Sequence, residues 1–217
     1  MNKQILNIEG IPGSGKSSSA AELSALFRAN GIDSFWVLEE DPNHPIGTSF
    51  LPRTDSAEKL ASHYLELWQA FVLGNRRVAV LEGYALQSTV RFLFAMNASH
   101  SSISHYFSKW QNIGQTCSSI IFLSVEDPAK HFHDFVFPLR GEEWCQKVSS
   151  YVSATPFGKK RGCIGGEGLI EFWSEYQSVC LELLRESVVP TRIQNYADRS
   201  WIGDQLESMK HTTQKSV

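Results

Sequence analysis

The run Gly10–Ser17, GIPGSGKS, sets glycines, a lysine and a hydroxyl at the spacing G-x-x-x-x-G-K-[ST], between an apolar segment and one of helical periodicity. Glycines 10, 13 and 15 allow a tight turn, in which backbone N–H groups through Ser14, Gly15, Lys16, Ser17 and Ser18 converge on phosphate oxygens at the positive end of a helix. Lys16 adds a point charge at the β and γ phosphates, and the Ser17 hydroxyl is the expected ligand to Mg²⁺. The chemistry implied is the holding of a nucleoside triphosphate. No base-reading N-K-x-D motif occurs, which favours ATP over GTP.

Moving a phosphoryl group to a second molecule also requires an acceptor oxygen held in line and a group to take its proton. Glu39, Glu40 and Asp41 follow an apolar run, at the strand edge where open α/β sheets bind ligands; one of them can accept that proton, or all three form a solvated acidic turn. Glu82 ends the run Val78–Leu81, a position suited to a carboxylate in the Mg²⁺ shell or to a cap on the following helix. Gln87 and Arg91 come one and two turns later and either face the acceptor or lie on plain helix surface. Arg140, Lys159, Lys160 and Arg161 form a basic set able to close over the nucleotide, the alternative being a solvated loop. His131, His133 and Asp134 are close in sequence, but the i, i+2 spacing sends the two histidines to different helix faces, so no metal site is expected there.

These groups need a scaffold. Short apolar runs at Gln4–Ile8, Ser34–Leu38, Arg77–Leu81, Ser119–Val125 and Thr191–Asn195 alternate with helical segments, the pattern of βαβ units. The expectation is an α/β P-loop NTPase fold in three layers, with about five mainly parallel strands. Helices are expected at Lys16–Asn30, Leu86–Asn97, Ser101–Gln115 and from Asp127-Pro128, where Asp127 is the N-cap. Another carries an apolar stripe from Ala57 to Val72, most of it core, with Tyr64 and Trp68 as candidate walls of an acceptor pocket. Thr155–Gly168, with Pro156 and five glycines, reads as a mobile loop within a lid region of about 138–168. His211–Val217 reads as a frayed polar end.

Composition sets the class. The 217 residues are 42% hydrophobic and 20% charged, average globular usage that suits one domain over 1–217. A net charge of −3 argues against a nucleic-acid polymer as partner, and no run is long enough for a bilayer, so no membrane association is expected. Four cysteines without paired spacing fit reduced thiols and a cytoplasmic location; a homo-oligomer is left open.

GIPGSGKS, Asp41-Pro42 and VAVLEG before Tyr84 together resemble the nucleoside and nucleotide kinase group of P-loop proteins, thymidylate kinases above all. The resemblance implies a carboxylate followed by proline after the second strand, which makes Asp41 the first choice for the proton acceptor and Glu39 the second. It also implies that LSVEDPAKHFHDFVFPLR leads into a lid whose arginine is Arg140. Where thymidylate kinases carry Asp-Arg after the third strand, this chain has Glu82-Gly83. The chain is similar too to a group of bacterial P-loop proteins with RGEEW and TPFGKKRG segments. The sequence therefore points to an ATP- and Mg²⁺-dependent kinase for a small-molecule acceptor, a nucleoside or nucleotide leading. The competing class is an ATPase or switch acting on a protein.

Overall fold

Along the strands, side chains alternate between two buried faces, and this period of two builds the molecule around its sheet. The structure, a computed structural model, describes residues 4–42, 44, 45 and 56–214. Strands β1 (Gln4–Gly10), β2 (Ser34–Val37), β3 (Val78–Glu82), β4 (Ser118–Ser124) and β5 (Thr191–Asn195) form one parallel sheet in the order β2-β3-β1-β4-β5. One face, with Leu6, Ile8, Val80 and Ile121, packs on α1 (Lys16–Ala29) and α9 (Trp201–Gln214) through Leu23, Phe27, Trp201 and Leu206. The other face, with Ile5, Ala79, Leu81 and Phe122, is covered by α2 (Ala57–Gly74), α3 (Val90–Ala95), α4 (His100–Gly114) and α8 (Gly165–Arg185). Between β4 and α8 run α5 (Pro128–His131), a π-helical turn at Phe132–Val136, α6 (Phe137–Ala154) and α7 (Pro156–Arg161). This is the three-layer α/β arrangement expected. Among the described residues no helix is long and apolar enough to cross a membrane.

Three expectations need correction. Thr155–Gly168 is mostly helical. The Thr155 side chain accepts from the Gly158 N–H at 3.0 Å, Pro156 opens the first turn of α7, and Gly162 closes it in the left-handed region. Gly158 is there because a Cβ would sit 2.0 Å from the Val152 carbonyl oxygen, so the glycines mark close packing and a cap rather than looseness. Within Leu86–Asn97 only Val90–Ala95 is α-helix; before it the chain runs in turns, where the Ser88 N–H donates to the Gly83 carbonyl and the N–H groups of Leu86 and Gln87 donate to the Glu9 carboxylate. The last helix reaches Gln214, into the segment read as frayed.

Tyr64 and Trp68 belong to the core and not to a pocket wall. Both are 0% exposed, and Trp68 stacks on Trp110 at 4.7 Å while its indole N–H donates to the Trp110 carbonyl at 2.9 Å. The i, i+4 repeat of Leu60, Tyr64, Trp68 and Val72 on α2 already supplies the apolar stripe that this burial needs. Trp68→Ala should therefore lower unfolding free energy by about 3–5 kcal/mol in urea titrations. A loss under about 1 kcal/mol would return Trp68 to the acceptor side.

Candidate active site

The turn after β1 places its residues by backbone geometry. Gly13 adopts φ +79°, and a Cβ there would lie 2.8 Å from Val136 and 2.9 Å from His131 Nε2, so the π-helical turn and α5 pack directly on the loop. His131 Nε2 donates to the Pro12 carbonyl at 3.1 Å, and burial pushes its pKa down. His133 instead faces outward beside Glu167 at 3.4 Å, so the two histidines part as their spacing implied. Gly10, Ser14 and Gly15 complete the loop. Ser17 and Ser18 stand exposed at the start of α1, where the first N–H groups of the helix have no intrahelical partner.

Lys16 is 5% exposed, and its ammonium donates to the Ile11 carbonyl at 3.1 Å. Burial drives its pKa down, while Glu39, Glu82 and Glu9 hold it up. Those three carboxylates come from three neighbouring strands: Glu9 inside the end of β1, Glu82 at the end of β3, and Glu39 two residues beyond β2. Ser17 Oγ donates to Glu82 at 2.7 Å, which joins the two residues that the sequence paired at a cation.

Beyond this edge opens a cavity of about 570 Å³, lined by Lys16, Ser17, Glu39, Glu40, Glu82 and Arg140 together with Gln87 and Arg91. Its remaining wall is aromatic and basic. Helix α6 contributes Trp144, Lys147, Val148 and Tyr151, which fall at i, i+3, i+4 and i+7 along one helix face, and Arg140 from just before its break at Gly141; Phe92 and Trp173 come from α3 and α8. Arg140 lies 5.7 Å over the Trp144 ring. Immediately after it, Gly141 takes φ 79° and ψ 171°, a glycine-only conformation that breaks the helical path.

The structure brings together most, though not all, of the expected residues. Asp41 lies in the turn after β2, where its N–H donates to the Leu38 carbonyl at 3.1 Å, and it does not line the cavity; Glu39 and Glu40 do. The chain turns at Leu38–Asp41, so successive side chains diverge, and the proline that marks Asp41 in sequence does not carry its carboxylate inward. Lys159, Lys160 and Arg161 are exposed on α7 and also lie away from the cavity, with Arg161 bound to Glu175 at 2.8 Å. The basic wall is Arg140 with Lys147 instead. Trp144, Lys147 and Tyr151 form an i, i+3, i+7 stripe that is legible only once the segment after Gly141 is known to be helix.

Glu9 carried no sequence signal beyond its place in a strand. It is fully buried, and its two oxygens accept from the N–H groups of Leu86 and Gln87, both at 3.1 Å. It thus ties the turn after β3 to the root of the phosphate loop. Burial raises its pKa from 4.5 to about 8, against those hydrogen bonds and Lys16. Glu39 is also pushed up by burial, and Arg91 and Lys16 counter this.

No protein-family model matches the chain, and no curated protein matches it. Among solved structures it is similar to thymidylate kinase from Ehrlichia chaffeensis, with a TM-score of 0.50 and 10% identity over 99% of this chain and 100% of that one. It is likewise similar to a crystal structure described as APE1195, with a TM-score of 0.51 and 10% identity over 99% of this chain and 96% of that one. At this identity the likeness shows the fold alone: a thymidylate kinase-like P-loop fold with a five-stranded parallel sheet.

The folded pKa of Glu9 lies above its unfolded value, so its contribution to stability is complete below pH 4.5 and is lost as the pH rises through about 8. Thermal midpoints of Glu9→Gln should therefore fall less than those of the unaltered protein between pH 4.5 and 8. Parallel curves would mean that Glu9 stays ionised in the folded protein.

Proposed function

We propose that this protein is an ATP-dependent phosphotransferase that moves the γ-phosphoryl group onto a small molecule, with a nucleoside or nucleotide as the leading acceptor class. The observation that supports it is the cavity of about 570 Å³ continuous with Lys16 and Ser17, which has carboxylates at its edge and an aromatic, basic wall opposite. A site that only hydrolysed ATP would need room for one water at that place; this one has room for a second substrate.

The residues present fit the nucleotide and its cation. The first N–H groups of α1 have no intrahelical partner, and Ser17 with Glu82 offers hard oxygen donors side by side, 2.7 Å apart. Bound Mg²⁺ would neutralise charge on the β and γ oxygens. Lys16 binds those oxygens as a cation, and because it is desolvated its charge acts at low local dielectric. Glu39 takes the proton of the acceptor hydroxyl as that oxygen bonds to the γ-phosphorus and the bond to the β–γ bridging oxygen breaks, releasing ADP. Where the acceptor is already a phosphate, its oxygen attacks without that proton transfer, and the cationic wall of Arg140 and Lys147 offsets its charge. Arg140, beside the loop, offsets charge on the transferring group, and Trp144, Tyr151 and Phe92 hold an acceptor ring and exclude water.

In this reading residues 1–217 act as one catalytic unit, with α6 as the covering side of its cavity. The acceptor is a metabolite rather than a nucleic-acid polymer or a membrane surface.

ATP consumption measured against pooled nucleosides, nucleoside monophosphates, amino alcohols and sugars should be stimulated by one pool, and mass spectrometry should find its phosphorylated member. Lys16→Ala should abolish the stimulated rate. A Lys16-dependent rate that no pool stimulates would instead indicate an ATPase or switch. Once an acceptor is known, Glu39→Gln should lower kcat by roughly 10²–10⁴-fold at near-constant ATP affinity if that acceptor presents a hydroxyl. Asp41→Asn, off the cavity, should have the smaller effect; the reverse order would give Asp41 the base role.

A further inference from the structure

Arg91 looks at first like a group for an anionic acceptor, since it lines the cavity. Its surroundings argue otherwise. Its Nε–H donates to the Gln87 carbonyl at 2.9 Å, its guanidinium lies 4.1 Å over the Phe92 ring centroid and 5.8 Å from that of Trp173, and Nη2 faces Glu39 Oε1 at 3.6 Å. The Arg91 and Glu39 side chains are only 13% and 20% exposed. A guanidinium clamped on two aromatic faces and one carbonyl has its direction set before any ligand arrives.

Glu39 is held from the same helix and the turn before it. The Gln87 side-chain amide donates to Oε2, and the Ser88 hydroxyl reaches Oε1 at 3.5 Å. Beneath the carboxylate lies Gly83, where a Cβ would stand 3.6 Å from Glu39 Cδ and Oε2. Any longer side chain at 83 would contend with Glu39 for this space. Glu39 thus occupies the room above Gly83, and a cation reaches the spot from Arg91, eight residues on.

We infer that Arg91, with Gln87 and Ser88, is a positioning group that fixes the Glu39 carboxylate over Gly83 at the cavity edge, rather than a group that binds the acceptor. This rests on the phosphotransferase reading for its catalytic meaning but not for its geometry. The charged groups facing Glu39 are Arg91 from α3, Lys16 from α1, Glu82 from β3 and its neighbour Glu40. Arg91 is the strongest of the influences that favour the ionised carboxylate, and burial, Glu82 and Glu40 oppose it.

The test uses Arg91→Gln and Arg91→Lys in the full-length protein. With a hydroxyl acceptor, the acidic limb of stimulated turnover should move up by about one pH unit or more in Arg91→Gln, with Arg91→Lys between it and the unaltered protein. The acceptor KM should stay within about threefold, and in a Glu39→Gln background the arginine change should add almost nothing. A large rise in KM with an unmoved limb would overturn the inference and make Arg91 an acceptor ligand.

Carboxyl NMR of Glu39 in the free protein separates this from the function. The titration midpoint should rise in Arg91→Gln whether or not a substrate is known, and an unchanged midpoint in a folded variant overturns the positioning role. If Arg91→Gln does not fold, the same titration in Arg91→Lys decides. A raised midpoint with no stimulated turnover for any acceptor would uphold the role of Arg91 and overturn the phosphotransferase reading.

Discussion

A lysine ammonium removed from water is the constraint around which this structure is arranged. Lys16 must lie at the root of α1 to face the phosphate loop, and there it is buried against the ends of the central strands. An isolated charge in that position would lose its proton or destabilise the fold. The answer is topological. In the order β2-β3-β1 three adjacent parallel strands bring their C-terminal ends to one edge, and each delivers a glutamate that supports the ammonium. A parallel sheet makes this possible because all its carboxyl ends point the same way.

The three carboxylates are not equivalent. Glu9 is deepest, is satisfied by two backbone N–H groups, and has its pKa pushed to about 8, so it behaves as part of the scaffold that joins the phosphate loop to the turn at Leu86 and Gln87. Glu82 is tied to the Ser17 hydroxyl. Glu39 is clamped by side chains on the cavity side. The same charge thus gathers a buried scaffold acid, an acid bonded to the Ser17 hydroxyl and an acid clamped at the cavity edge, each separated from the others by what it hydrogen-bonds.

What the sequence showed follows from where each function is encoded. The phosphate loop is a backbone device, and backbone devices leave glycines at fixed spacing, so Gly10, Gly13, Gly15 and Lys16 could be read directly. The sheet left apolar runs, and its five strands emerged within a residue or two at most ends. The cavity wall is a side-chain device assembled from α3, α6 and α8, and none of these leaves a local pattern until the helix phase is known. Lys147 and Tyr151 therefore carry no local signal, whereas Lys159–Arg161 stands out in the sequence as a plain run of charge although it lies off the cavity. The proline beside Asp41 marks it in the sequence, but the turn at Leu38–Asp41 brings Glu39 rather than Asp41 to the cavity. Glu9 was invisible because a buried glutamate inside a strand looks like any other strand residue until its partners 77 and 78 positions away are seen.

In the proposed reaction Glu39 faces two opposed demands. Removal from water makes a carboxylate a stronger base, but it also lowers the fraction that is ionised and able to act. Burial alone would carry Glu39 toward the protonated state, and the nearby Glu82 and Glu40 push the same way. Arg91 and Lys16 push back. Lys16 cannot do so alone, since bound phosphates would draw on the same ammonium during turnover, and its support for Glu39 would weaken when the base is needed. Arg91 is bound to no group of the phosphate loop, and its aromatic and carbonyl contacts keep its charge on Glu39 independently of the nucleotide. A second cation whose position does not depend on ligand is therefore what lets a desolvated base and a desolvated phosphate-binding lysine share one strand edge.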